Sequence, residues 1–283
     1  MASSVRDDAV AAVLLPQERP DQQANHVAER PATRPAAVLV SVVIPARNEA
    51  ANLSWVLSRM PDLVDEVIVI DGHSTDGTVA VAKELWPDVV IATDGQLGKG
   101  EAMRTGGALA RGAFVVMLDA DGSMDPVEIE RYVRLLGDGY DVVRGSRFLG
   151  QDGGTADMTL LRKAGHFGLL GLANLLFGTR WTDLCYGFCA FRRTALEALQ
   201  LDADGFEIET QIALRSRKLR LRMAEVPSFE YERRSGTSQL NTFRDGFRVL
   251  GTILRERLTR TPSPTSTGAA SPEIVPARRL RRG

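Results

Sequence analysis

Residues 113–126 read AFVVMLDADGSMDP. The unbroken apolar run from Ala113 to Leu118 is the pattern of a strand covered on both faces. It stops on Asp119 and Asp121. Two carboxylates are costly to desolvate unless something positive answers them, so the pair belongs to a polar loop beyond the strand and calls for a cationic partner.

The same punctuation recurs on either side. VLVSVVIP (38–45), EVIVID (66–71), DVVIAT (88–93) and YDVVRG (140–145) read as further buried strands, with helices expected over 50–59, 75–85, 99–110 and 126–136. Such alternation predicts an α/β fold with a mostly parallel central sheet and helices on both faces. Ligands of these sheets bind beyond the carboxyl ends of the strands. The polar stretches PARNE, DGHSTDG and DADGS all fall at that edge.

Composition narrows the partners. The 283 residues hold 35 basic and 36 acidic side chains, so there is no global electrostatic case for nucleic acid. Cys185 and Cys189 with His26, His73 and His166 are the whole complement of those residue types, too few and too scattered for a zinc cage. Two cysteines fit a reducing cytoplasm better than a secreted disulfide scaffold. No signal peptide is read at MASSVRDDAV, and the longest apolar stretch, GLLGLANLLFG (168–178), is about half of the ~20 residues a membrane span needs. Residues 1–37 and 260–283 read as a disordered leader and tail.

The loop carboxylates Asp119 and Asp121 are one residue apart, and no Cys or His stands near them. Oxygen-only donors suit Mg²⁺ or Mn²⁺, ions that bind through one or two carboxylates plus substrate phosphates. With SVVIPARNE, VIVIDGHSTDGT, GKGEAMRTG, VMLDADGSMDP and RGSRF in this order, residues 39–250 resemble the family 2 glycosyltransferases of GT-A fold. TDLCYGFCAFRR and EVPSFEYERRSGTSQL resemble segments of their dolichol-phosphate or polyprenyl-phosphate mannosyltransferase branch. Two positions depart from that pattern. Gly72-His73 replaces the usual Asp-Gly, and Gln239 stands where the branch has Lys.

The resemblance implies an inverting transfer of a sugar from a nucleotide-diphosphate donor, of GDP-mannose or UDP-glucose type, to a polyprenyl-phosphate acceptor. It implies that Pro45, Arg47 and Glu49 line the nucleotide pocket, that Asp71 sits near the base and that Lys99 lies close by. Asp121 is the implied principal metal ligand, Asp119 reaches the metal or the donor, and Ser123 stands where the branch often has a Gln ligand. Ala120 and Ser238 complete the substrate-binding set. Arg147 and Arg233 are expected phosphate contacts, since a planar fork of donors suits phosphate. Arg192, Arg193 and Arg234 are weaker candidates for the same role. Asp183 is the expected catalytic base if the acceptor is an alcohol, and otherwise an orienting residue.

A catalytic domain is thus expected over 38–240, followed by an amphipathic helix over 241–259. There Leu240, Phe243, Phe247, Leu250, Leu254 and Leu258 recur at helical spacing among Arg244, Arg248, Arg255 and Arg257. Core packing and the inner face of the cell membrane both fit that stripe, and residues 160–178 are a second candidate for interfacial contact. The competing readings are a soluble family 2 enzyme acting on a small alcohol or secondary metabolite, and a non-catalytic sugar-nucleotide binder.

Overall fold

The first four sequence strands lie side by side. In the computed structural model, which describes residues 39–259 apart from 96, 157 and 237–239, β1 (Val40–Ala46) pairs in parallel with β2 (Glu66–Asp71) on one side and β4 (Phe114–Met117) on the other, and β3 (Val90–Thr93) pairs with β2. Consecutive residues point to opposite faces of a strand. Val42, Ile44, Val67, Val69 and Val116 therefore join one core, and Val43, Ile68, Ile70, Val115 and Met117 the other. Helices α1 (Ala50–Ser58), α2 (Thr78–Leu85) and α4 (Ile129–Gly137, entered through a 3-10 turn at Pro126–Glu128) cover the first face. Helix α3 (Lys99–Leu109) covers the second.

Beyond β4 the sheet continues in the order β3-β2-β1-β4-β7-β5-β8. Here β5 is Val142–Ser146, β7 is Cys189–Arg192 and β8 is Met223–Pro227, with β7 antiparallel to both neighbours. Sequence reading had taken the segments of β7 and β8 as motifs, and both are strands. A short parallel pair, β6 (Gly154–Thr155) with β9 (Phe229–Glu230), forms a second sheet. Helices α6 (Arg193–Leu199) and α7 (Ile208–Lys218) add Ala195, Leu199, Ile208 and Ile212 to the second core.

A third cluster joins α7 to α5 (Leu160–Phe177) and α8 (Thr242–Leu258) through Leu170, Ala173, Ala213, Leu214, Val249 and Ile253. The face of α8 that packs is not the expected stripe. Val249 and Ile253 pack inward, whereas Phe243, Phe247, Leu254 and Leu258 stay exposed. No helix among the described residues is long and apolar enough to cross a membrane. The expected leader, the tail, Ser238 and Gln239 fall outside the described residues.

Candidate active site

The chain leaves β1 toward β2 on one side and toward β4 on the other, so a crevice opens at their carboxyl ends. The turns there are tied to one another. Asn48, in the left-handed region at φ 55, accepts the Thr75 N–H at 2.8 Å, and its own N–H donates to Ser74 Oγ at 2.9 Å. Asp76 accepts the Ala50 N–H at the start of α1 (3.0 Å). These bonds fix a cleft of about 450 Å³ whose walls include Pro45, Arg47 and Glu49 from the β1 loop. Asp119, Ala120 and Asp121 follow β4 into the same cleft, joined by Lys99 and Arg233. Asp71 stays out of it: the residue is buried and its carboxylate accepts the Ser74 N–H at 3.2 and 3.3 Å. Gly72 beside it forms the wall instead.

Ion pairs organise the floor. Lys99 Nζ is 2.7 Å from Asp119 and 2.8 Å from Glu209. Gly187 makes that triad possible, because a Cβ there would meet Lys99 Nζ at 2.5 Å and an oxygen of both Asp119 and Glu209 at 3.0 Å. Arg233 bridges Glu49 and Asp121, the latter at 3.2 Å. The Ser123 hydroxyl and N–H donate to Asp121 Oδ1 at 2.7 and 3.0 Å. Burial, with Asp121 and Glu209 adding like charge, outweighs Lys99 and pushes the Asp119 carboxyl up to about 6. Lys99 itself is driven up, since its two carboxylates outweigh its burial. Burial also raises Glu49 against the pull of Asn52 and Arg233.

Four carboxylates thus face two cations. Such an excess is met by added positive charge or by protonation. No group of three or more His, Cys, Asp or Glu side chains among the described residues could by itself hold an ion. The donor set is a pair of carboxylates with room beside it, which fits a hard divalent ion completed by phosphate and water.

The family described as Glycosyl transferase family 2 matches residues 41–200. The chain belongs to this family. Glycosyltransferase AglJ of Haloferax volcanii is 32% identical over 234 residues, covering 81% of this chain and 75% of that protein. Polyprenol monophosphomannose synthase of Mycolicibacterium smegmatis is 30% identical over 263 residues, covering 85% and 97%. Among solved structures, glucosyl-3-phosphoglycerate synthase of Mycobacterium tuberculosis with Mg²⁺ and UDP superposes with a TM-score of 0.61 at 25% identity, covering 78% of this chain and 80% of that one. The sheet of this family 2 glycosyltransferase is the GT-A fold that its motifs led one to expect.

The glycosyltransferase has a second, smaller cavity of about 90 Å³ that shares Lys99, Asp119, Asp121 and Arg233 with the first and adds Ser123, Arg147 and Arg162. Arg147, expected as a phosphate contact, is buried, and its guanidinium already makes five hydrogen bonds. Two go to Asp183 (2.7 and 3.0 Å), two to Glu230 (3.2 and 3.1 Å) and one to the Cys185 carbonyl (2.8 Å). Asp183 is fully buried and lines neither cavity. Burial alone would raise its carboxyl, but Arg147 outweighs that and holds it below the usual carboxylate range. Held in this way, the Asp183 carboxylate faces Arg147 and neither cavity. Arg192 donates to the Tyr140 and Leu136 carbonyls, and Arg193 pairs loosely with Glu197 at 3.9 Å, both away from the cleft. Ser238, the remaining expected contact, lies outside the described residues.

Glu209 and Arg162, not singled out in the sequence, reach the site from helices, as do Arg244 and Arg248, expected there only as the basic residues of an amphipathic helix. Glu209 left one usable signal, a carboxylate on the apolar-spaced face of IETQIALRSRK.

Proposed function

We propose that the protein is a metal-dependent inverting glycosyltransferase moving a sugar from a nucleoside diphosphate to a polyprenyl phosphate at the cytoplasmic membrane surface. The observation that carries this reading is the sharing of Asp119 and Asp121 between two adjoining cavities. One has the size and polar lining for a nucleotide sugar. The other presents Arg162, from the first turn of α5, to an anionic acceptor.

Asp119 and Asp121 would hold Mg²⁺ or Mn²⁺, which when bound supplies positive charge to the departing diphosphate. Arg233 adds fixed charge at the same wall, aligned by Glu49 and Asp121. Lys99, clamped by Asp119 and Glu209, keeps the Asp119 side chain turned to the junction of the cavities. A phosphate oxygen is already anionic and attacks the anomeric carbon without a strong base. That agrees with Asp183 being committed to Arg147. Attack from the second cavity, opposite the diphosphate, inverts the sugar.

The membrane part of the proposal rests on exposed apolar side chains of the two helices that contribute Arg162, Arg244 and Arg248 to the cavities. Leu160, Leu161, Phe167 and Leu175 of α5 are exposed, as are Phe243 and Phe247 of α8. A relative named polyprenol monophosphomannose synthase supports the same acceptor class. The second reading is a small phosphorylated acceptor in solution, favoured by solved structures such as that of glucosyl-3-phosphoglycerate synthase with UDP-glucose and glycerol 3-phosphate, 25% identical.

Flotation with vesicles containing anionic lipid and polyprenyl phosphate, combined with transfer assays using GDP-mannose and UDP-glucose, tests the proposal. Wild type should float and label the lipid in a Mn²⁺- or Mg²⁺-dependent way, and Asp121→Asn should lose about 100-fold or more of that transfer. Labelling of a soluble phosphate acceptor without flotation would replace the lipid reading. Metal-independent transfer would remove the metal from it.

A further inference from the structure

Beside Arg47, four cations line the donor cleft, and they are of two kinds. Lys99 and Arg233 are each gripped by two carboxylates. Arg244 and Arg248, one turn apart on α8, line the same cleft. Among the described residues the Arg244 guanidinium donates to the adjacent Asp245, at 3.3 Å, and its side chain is 64% exposed. Among the described residues, Arg248 has no ion-pair partner.

Solvated arginines on a helix surface are common and usually mean nothing. Arg248 is different because of where it rests. A Cβ on Gly205 would meet Arg248 Nη1 at 2.6 Å, so the guanidinium lies against bare backbone next to Phe206, another cleft residue. The same absent Cβ would meet Glu207 Oε2 at 2.6 Å, a buried oxygen with no hydrogen-bond partner. That carboxylate lies near the guanidinium without pairing with it.

A diphosphate entering here meets Glu49, Asp94, Asp119 and Asp121 as well as these cations. Binding it through Lys99 or Arg233 breaks buried ion pairs, which is expensive. Among the described residues, binding it through Arg248 breaks no ion pair, and through Arg244 it disturbs one, the pair with Asp245, whose arginine is already mostly exposed. We propose that Arg248, with Arg244 a turn before it, is a phosphate-binding arm of the donor cleft supplied by the C-terminal helix. The inference rests on the nucleotide-sugar reading above and extends it to α8. Phe243 and Phe247 each precede one of these arginines and are exposed, so one helix carries both the donor contact and the outward apolar surface.

Calorimetric titration of the full chain with UDP and GDP in Mn²⁺ tests this, using Arg248→Ala, Arg244→Ala/Arg248→Ala and, as a control in the last turn of α8, Arg257→Ala. Each lost charge-assisted contact should weaken the nucleotide that wild type binds by about tenfold or more, while Arg257→Ala matches wild type. Arg248→Lys, which keeps the charge, should recover part of the loss, and binding of the bare nucleoside should not change. Thermal melts of each variant separate misfolding from loss of contact. If wild type binds a nucleotide and the double variant binds it equally well, the arm is refuted and the donor reading stands. If wild type binds neither nucleotide, both fall.

Discussion

The guanidinium of Arg234 lies 4.6 Å from the centroid of the Trp55 ring, and Arg59 lies over the same ring at 5.0 Å. This stack fastens the segment after β9 to α1. It is reinforced by Asn52 donating to the Ser235 carbonyl (3.0 Å), Tyr231 N–H to the Ser123 carbonyl (2.9 Å) and Arg234 N–H to the Asp121 carbonyl (3.3 Å). Arg233 reaches Glu49 and Asp121 because its neighbours on either side are held. Trp55 is therefore a positioning residue. Cation–π contacts of this kind are worth about 0.5–2 kcal/mol, so Trp55→Ala should weaken nucleotide binding by about 3- to 30-fold. Trp55→Phe should keep most of the affinity. Unchanged titrations for Trp55→Ala would show that the loop holds itself.

Asp183→Asn separates a base from a buried anchor. The change leaves Arg147 with reduced compensation in a site where both partners are almost fully buried, and breaking such a pair costs about 3–5 kcal/mol. The expected outcome is a large fall in melting temperature accompanying any fall in turnover. A variant that melts like wild type yet loses turnover, with the acidic limb missing from its pH–rate profile, would make Asp183 the proton acceptor.

Much of this arrangement was legible before any coordinates. The apolar runs ending at Pro45, Asp71 and Asp119 placed three loops at one sheet edge, and the one-residue spacing of Asp119 and Asp121 drew attention to a shared cation. What stayed hidden depends on tertiary partners. A planar fork at Arg147 reads as phosphate recognition until Asp183, 36 residues on, is seen to fill it. Glu209 stands on the apolar-spaced face of its helix, a faint signal, because an acid in the first turn of a helix is ordinary. Only the packing of α7 against the sheet turns it toward Lys99.

His166 gives the protein a pH dependence of known sign. Its ring is buried beside Phe148 and Phe167, with Nε2 3.4 Å from Asp183. Burial, aided by Arg147 and Arg144, lowers its pKa against the pull of Asp183. The unfolded chain then binds the proton more readily than the folded one. The contribution is complete above the ordinary value of 6.5 and is lost as pH falls from there through the lower folded value. Melting temperature should drop across that window in wild type, and the drop should be smaller in His166→Gln. Parallel curves for the two proteins would remove His166 from the account.

Gly187 is the most economical probe of the floor of the site. A methyl group there would sit 2.5 Å from Lys99 Nζ and 3.0 Å from oxygens of Asp119 and Glu209. The lysine end can shift, but only by loosening the two ion pairs that orient Asp119. Tyr186 and Phe188 on either side belong to the core, but the nearest atoms to the added methyl are those polar ends and not core side chains, so folding should survive. Gly187→Ala is expected to keep a cooperative melt and to lose about tenfold or more in metal-dependent nucleotide affinity, the scale of one charge-assisted contact. Gly187→Ser should behave no better, since the added hydroxyl lies on the same crowded atom. Wild-type affinity in Gly187→Ala would mean that the Lys99 triad can be rearranged freely, and that the orientation of Asp119 is set by something other than Lys99.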